Sequence, residues 1–147
     1  MTIHLSNGAK GLIAAGRPQT ALAVHSVLFS FDITTTILAA DKLALGVLPA
    51  NCTPTDAILF SEGALGAATA NVGIMSGTVD STDDARTSGN ELFAALALNN
   101  AFARLAKPDA LLLAPANADR AIGISGFSAD IVGAAGKRLH LLLSYRA

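Results

Sequence analysis

Along residues 21–31, ALAVHSVLFSF, the side chains alternate in character. His25, Val27, Phe29 and Phe31 fall on one side of an extended chain, and Val24, Ser26, Leu28 and Ser30 on the other. A period of two, with β-branched and aromatic residues on the heavier side, predicts a half-buried strand. Residues 138–145, RLHLLLSY, repeat the pattern, with Leu139, Leu141, Leu143 and Tyr145 opposed to Arg138, His140, Leu142 and Ser144. A strand this close to the end ties the C-terminus into the fold. Between these two lie apolar runs at 33–39, 43–48, 57–61, 71–75, 110–113 and 120–125, the last continuing past Gly126 into 127–132. Clusters of Gly, Pro, Asn, Thr and Ser divide them, which is the texture of strands and turns. Residues 43–75 read as an antiparallel meander, because their loops are too short for the crossover helix that parallel pairing needs. In the middle run Ile58 and Phe60 are expected to point inward, leaving Ala57, Leu59 and Ser61 as a lighter, semi-exposed side. The expected fold is all-β: an antiparallel, jelly-roll-like β-sandwich of about eight strands.

Three stretches break the alternation. Residues 1–20 scatter Ile3, Leu5, Leu12 and Ile13 among Gly8, Gly11, Gly16 and Pro18 with no sustained period. They read as an N-terminal arm preceding a sandwich domain at 21–147, and their apolar residues are unlike a purely solvated tail. Residues 76–90, SGTVDSTDDARTSGN, are the longest polar stretch and predict a surface loop carrying Asp80, Asp83 and Asp84. Asp80, Thr82, Asp84 and Glu91 fall at calcium-loop spacing, but Ala85 stands where that loop needs Gly and Arg86 where it needs a ligand. Ser88 and Glu91 have capping-box spacing ahead of a run rich in helix formers. One or two helical turns from Glu91 are expected, then irregular or extended chain as far as Pro108, Asn99-Asn100 interrupting the apolar stripe.

Composition narrows the function. The 147 residues suit one domain, and 52% are hydrophobic, yet only 14% are charged, against roughly 25% in an average soluble domain. A sparsely charged surface is suited to burial against neighbours. The net charge is −1, with no basic cluster beyond Lys137-Arg138, so no nucleic-acid footprint is evident. No run approaches the roughly 20 apolar residues of a membrane span, and no apolar signal region follows Lys10. These features imply no membrane partner and a cytoplasmic place of synthesis. The one cysteine, Cys52, excludes an intrachain disulfide and a Cys-based metal site. His4, His25 and His140 fall in different elements, so a nucleophile–base pair would require Cys52 to meet His25 or His140 in space. No catalytic residue, cofactor or metal is expected, and the chain does not read as an enzyme.

A strand running to Leu48-Pro49, then DAILFSE (56–62), LGAATANVGIM (65–75), ANADRAIGISG (116–126) and LHLLLSYRA (139–147) resembles small virion proteins of tailed bacteriophages. The likeness runs from Ala21 to the C-terminus and is to capsid decoration, or cement, proteins. It implies a β-sandwich that binds the major capsid protein as a homo-oligomer, dimer or trimer, and strengthens the shell. The implied location is the capsid surface of a virion assembled in the host cytoplasm. The motifs carry no signature functional residues. Candidate contact residues therefore come from the arm (Ile3, Leu5, Leu12, Ile13 and Arg17) and from the acidic loop (Asp80, Asp83 and Asp84). A different virion part, such as a head-fibre base, neck or tail component, is the nearest alternative. A carbohydrate-binding attachment module is a weaker one, for with no Trp and only Tyr145 it lacks aromatic platforms.

Overall fold

The computed structural model describes residues 1–11 and 23–147. Among them the chain forms β1 (Ile3–Leu5), β2 (Val24–Asp32), β3 (Lys42–Leu48), β4 (Thr53–Glu62), β5 (Thr69–Ile74), β6 (Phe93–Ala97), β7 (Phe102–Arg104), α1 (Pro108–Leu111), β8 (Arg120–Ser125) and β9 (Arg138–Arg146). A five-stranded sheet has the order β1-β3-β8-β5-β6 and a four-stranded sheet the order β2-β9-β4-β7. All pairs are antiparallel except β1 with β3. The result is an antiparallel-dominated, jelly-roll-like β-sandwich, as the alternation predicts. No helix among the described residues is long and apolar enough to cross a membrane.

Residues 43–75 do not form the expected meander. β3 and β5 flank β8 in one sheet while β4 lies in the other. A loop of a few residues can span the roughly 10 Å between packed sheets, and Asn51 takes a positive φ of 61° in the β3–β4 turn. Local loop length therefore excludes parallel pairing without choosing between a hairpin and a change of sheet.

The two sheets close on a core that includes Leu43, Leu45, Leu59, Ile122, Ile124, Leu139, Leu141, Leu143 and Tyr145, all essentially inaccessible to water. Phe29 from β2 reaches across to β3, its ring lying between Gly8 and Gly46, where a methyl group on either glycine would overlap it. Tyr145 and Leu143 place β9 at the centre of its sheet, paired along its length with β2 and β4.

Four expectations are corrected. In β4 the phase is reversed: Ala57 and Leu59 are fully buried, and Ile58 and Phe60 face outward half-exposed. The larger residues won the inward reading on hydrophobicity, but β9 fixes the register by pairing Leu59 with Leu141. Residues 91–107 are not helical but form β6 and β7. Glu91 accepts a hydrogen bond from the Ile74 amide (3.0 Å) instead of closing a capping box. Pairing with β5 and β4 overrides helix propensity, and Asn100 turns the chain at φ 52°. The short helix comes after Pro108, at 108–111, where an apolar strand was expected; proline suits a helix's first position. Residues 33–39 are also not a strand. They make one isolated β-bridge, Ile37 to Ile131, and backbone hydrogen bonds join Ile33 to Lys137 and Ala134, with Ile33 and Ile37 buried in the core and Thr34, Thr35 and Thr36 exposed.

Candidate interaction surface

The outer faces of the two sheets differ in what covers them. The five-stranded sheet turns Ala44, Ala121 and Gly123 outward, and these small residues admit chain close to the backbone. β1 extends this sheet at its β3 edge, and Ile3, with Ala9 of the turn that follows, joins Ala44, Met75 and Ala121 in a second small apolar cluster. The loop at 76–91 folds onto the same face: a side chain at Gly123 would overlap Met75 and Ser88, and one at Gly73 would overlap Glu91 and Gly89. Arg86, 3% exposed, holds this loop, its Nε donating to the Ser76 carbonyl (2.6 Å) and its Nη1 to the Ser81 carbonyl (2.7 Å). Burial lowers the Arg86 pKa, and Asp80 and Asp83 act in the opposite direction. Lys42 donates to the carbonyls of Asp84 and Arg86 and fastens the loop to β3.

The N-terminal strand is fastened by Asp41, which composition alone would assign to a solvated turn. It is 3% exposed, pairs with His4 Nε2 at 2.9 Å, and accepts from the amides of Thr2 (2.8 Å) and Leu38 (3.0 Å). Desolvation alone would raise its pKa; these hydrogen bonds and the His4 charge outweigh it, so the net shift is downward. A polar cleft of about 440 Å³ opens beside His4, with Lys10 and Asn7 on one wall and Ser30, Asp32 and Thr34 on the other.

The four-stranded sheet has no comparable cover among the described residues. Its registers set outward side chains in rows across the strands. One row is Leu28, Leu142, Ile58 and Arg104, and the next is Ser30, His140, Phe60 and Phe102. Leu28 is 47% and Phe102 77% exposed. The Phe60 ring stacks on His140 at a centroid distance of 4.6 Å and leans on Phe102 at 6.1 Å. His140 bridges Ser30 Oγ (2.7 Å) and Glu62 Oε2 (2.7 Å), as expected of directly opposite and diagonal cross-strand neighbours. Charged residues flank the apolar centre. Asp32, Arg138 and Glu62 form a row at one end, with Arg138 Nε 2.8 Å from Asp32. Toward the other end Asp56 lies level with Ser144 and Ser26, and Arg146 level with Val24, while Arg104 reaches from the Ile58 row to place its Nη2 2.7 Å from Asp56. An apolar centre within a polar rim is the anatomy of a protein-binding surface.

The sequence-derived candidates are not gathered at one place. Ile3 is buried within the domain and Leu5 is half-buried, both committed to β1. Leu12, Ile13 and Arg17 lie outside the described residues. Asp80, Asp83 and Asp84 are exposed on the loop that Arg86 organises. Cys52 and His140 do not meet: Cys52 precedes Thr53 at one end of β4, while His140 pairs with Phe60 near the other. His25 stacks against Tyr145 at 6.3 Å. No group of three or more His, Cys, Asp or Glu side chains among the described residues could hold a metal ion. No pattern along the chain marks these apolar rows, because their members belong to four strands far apart in sequence and the size of Ile58 and Phe60 argues for the inward side.

Among the described residues, one face of the sandwich is thus closed by the chain itself and the other presents an apolar sheet flanked by charged residues. No protein-family model and no curated protein sequence matches the chain. Among solved structures it is similar to a chain of the capsid of Ralstonia phage GP4, with 35% identity and a TM-score of 0.88 over 98% of this chain and 97% of that one. The fold also matches a chain of the cyanophage Pam1 capsid asymmetric unit, with 20% identity and a TM-score of 0.60 over 91% of each chain. A third likeness is to the acid-stable capsid of the Helicobacter pylori bacteriophage KHP30, with 12% identity and a TM-score of 0.52, covering 87% of this chain and 90% of that one. The chain belongs to a family of bacteriophage capsid proteins and is a structural protein of the virion.

Proposed function

We propose that this protein is a decoration, or cement, protein, binding as a homo-oligomer to the outer surface of a major-capsid-protein shell and stiffening it. The near full-length likeness to a chain of the Ralstonia phage GP4 capsid carries this reading. The low charge fraction of 14% and the outer face of the four-stranded sheet, uncovered among the described residues, support it. Many modest contacts repeated over a symmetric shell add up to firm attachment, so no single interface has to be strong. The partner is the major capsid protein, and no catalytic step is involved. The exposed acids Asp80, Asp83 and Asp84 and the arm residues Leu12, Ile13 and Arg17 remain proposed shell contacts.

The reading is tested by mixing purified protein with undecorated shells and pelleting them. Binding that saturates at a fixed ratio to capsid subunits, with a higher disruption temperature for loaded shells, is the expected result. Protein left in the supernatant at saturating concentration would refute it.

A further inference from the structure

The geometry points to a nucleophilic serine on the outer face of the four-stranded sheet: Ser30, with His140 as its base and Glu62 orienting that base, cleaves short-chain acyl esters. Shell attachment needs no chemistry, so this is a second property of the molecule and stands apart from the decoration reading. In β4 the Ser61 amide donates to the Ala101 carbonyl and the Ala57 carbonyl accepts from Leu105, so odd residues bond away from β9 and even ones toward it. β9 therefore gives its even positions to β4 and its odd ones to β2, which makes Ser30 and His140 a non-hydrogen-bonded pair of the ladder. Side chains stand closest in such pairs, and Ser30 Oγ lies 2.7 Å from His140 Nδ1. The other ring nitrogen, Nε2, lies 2.7 Å from Glu62 Oε2. A carboxylate only accepts, so Nε2 carries the proton and the Nδ1 lone pair is turned to the serine. Phe60, stacked on the imidazole at 4.6 Å, fixes its plane, and Arg138 Nη1 stands 3.8 Å from Glu62 Oε2. A nucleophile, a base in hydrogen-bond reach and a third group orienting the base are the parts of covalent catalysis.

The same alternation turns the Ser30 amide toward the open edge of β2, where the polar cleft adds Lys10 and Asn7 as N–H donors for a developing oxyanion. On the open face Leu28 and Phe60 flank Ser30 and His140; they seat a small acyl group and leave a long one in water. The cleft's polar walls suit the alcohol part of the ester. His140 takes the Ser30 proton as Oγ bonds to the acyl carbon, and gives it to the departing alcohol as the ester C–O bond breaks. It then takes a proton from water as water bonds to that carbon, and returns it to Oγ as the carboxylic acid leaves.

Diisopropyl fluorophosphate and p-nitrophenyl acetate test this. The wild type is expected to gain a phosphoryl adduct on Ser30 and to hydrolyse the acetate faster than the hexanoate. Ser26, also exposed but paired with Ser144 Oγ (2.7 Å) and no imidazole, is expected to stay unlabelled. S30A and H140Q are each expected to lose about a hundredfold in turnover, S30A with an unchanged melting temperature. E62Q is expected to lower kcat about tenfold with KM unchanged, as loss of a positioning group should. An unlabelled Ser30, equal labelling of Ser26, a preference for the hexanoate, or an S30A variant as active as wild type would overturn the inference.

Discussion

The outer faces of the two sheets are built by the same chain to opposite ends. On the five-stranded sheet, Ala44, Ala121, Gly73 and Gly123 keep the surface low, the loop at 76–91 settles onto it, and Ile3 of the edge strand β1 packs beside Ala44 and Ala121. On the four-stranded sheet, Leu28, Ile58, Phe60, Phe102 and Leu142 stand up from the surface and leave no such seat. A low face is completed within the molecule, whereas a tall apolar one needs a partner from outside. Side-chain size on the outward positions thus separates the face that the described chain covers from the one that it leaves open.

The largest effect should come from the phase of β4, which defines what the bare face is. Leu59→Ala empties a fully buried site in the core and is expected to cost about 3 kcal/mol of unfolding free energy. Ile58→Ala, one residue away on the outside, should cost under about 1 kcal/mol. Urea denaturation of both variants decides it, and a reversed order would mean that the strand is out of phase.

Next in size is a test of the low face. Gly123→Val thrusts a side chain into Met75 and Ser88 and should destabilise by about 2 kcal/mol while exposing the 76–91 loop to protease. Ser26→Val, a comparable enlargement on the bare face, should change stability by less than about 0.5 kcal/mol. Equal losses in a thermal melt would erase the distinction between the faces.

A smaller effect depends on pH. Asp41 has a folded pKa below its ordinary value of 3.8. Its contribution is therefore fully present above that value and is lost as the pH falls through the lowered folded one. Stability measured by denaturant should drop on acidification in the wild type. In Asp41→Asn that component of the drop should vanish, at the expense of a weaker start at neutral pH. An identical acid profile in the two proteins would show that Asp41 does not fasten β1.

The least change in stability is expected from Phe102→Ser. With Phe102 77% exposed, its removal should leave the melting temperature within error and weaken binding to shells alone. A clear fall in melting temperature would mean that Phe102 belongs to the fold and not to the surface.

The chain's own pattern determined much of the architecture. Strict alternation in β2 and β9 assigned both faces correctly, because period two can be satisfied only by an extended chain with one side buried. The turn residues around β3, β5 and β8 bounded those strands, and low charge pointed to assembly. Other features were decided by tertiary structure. Ile58 and Phe60 look like core residues in isolation, and only pairing with β9 sends them outward. Residues 91–107 have helix-forming composition, and only the open edges of β5 and β4 draw them into strands. Asp41 and His4 are unremarkable in sequence until the parallel pairing of β1 with β3 brings them together. The candidate surface is of this second kind. It draws one or two residues from each of four strands, and a pattern read along one dimension does not say which strands become neighbours. Local alternation specifies which way a side chain points relative to its own strand; only long-range pairing specifies what it meets.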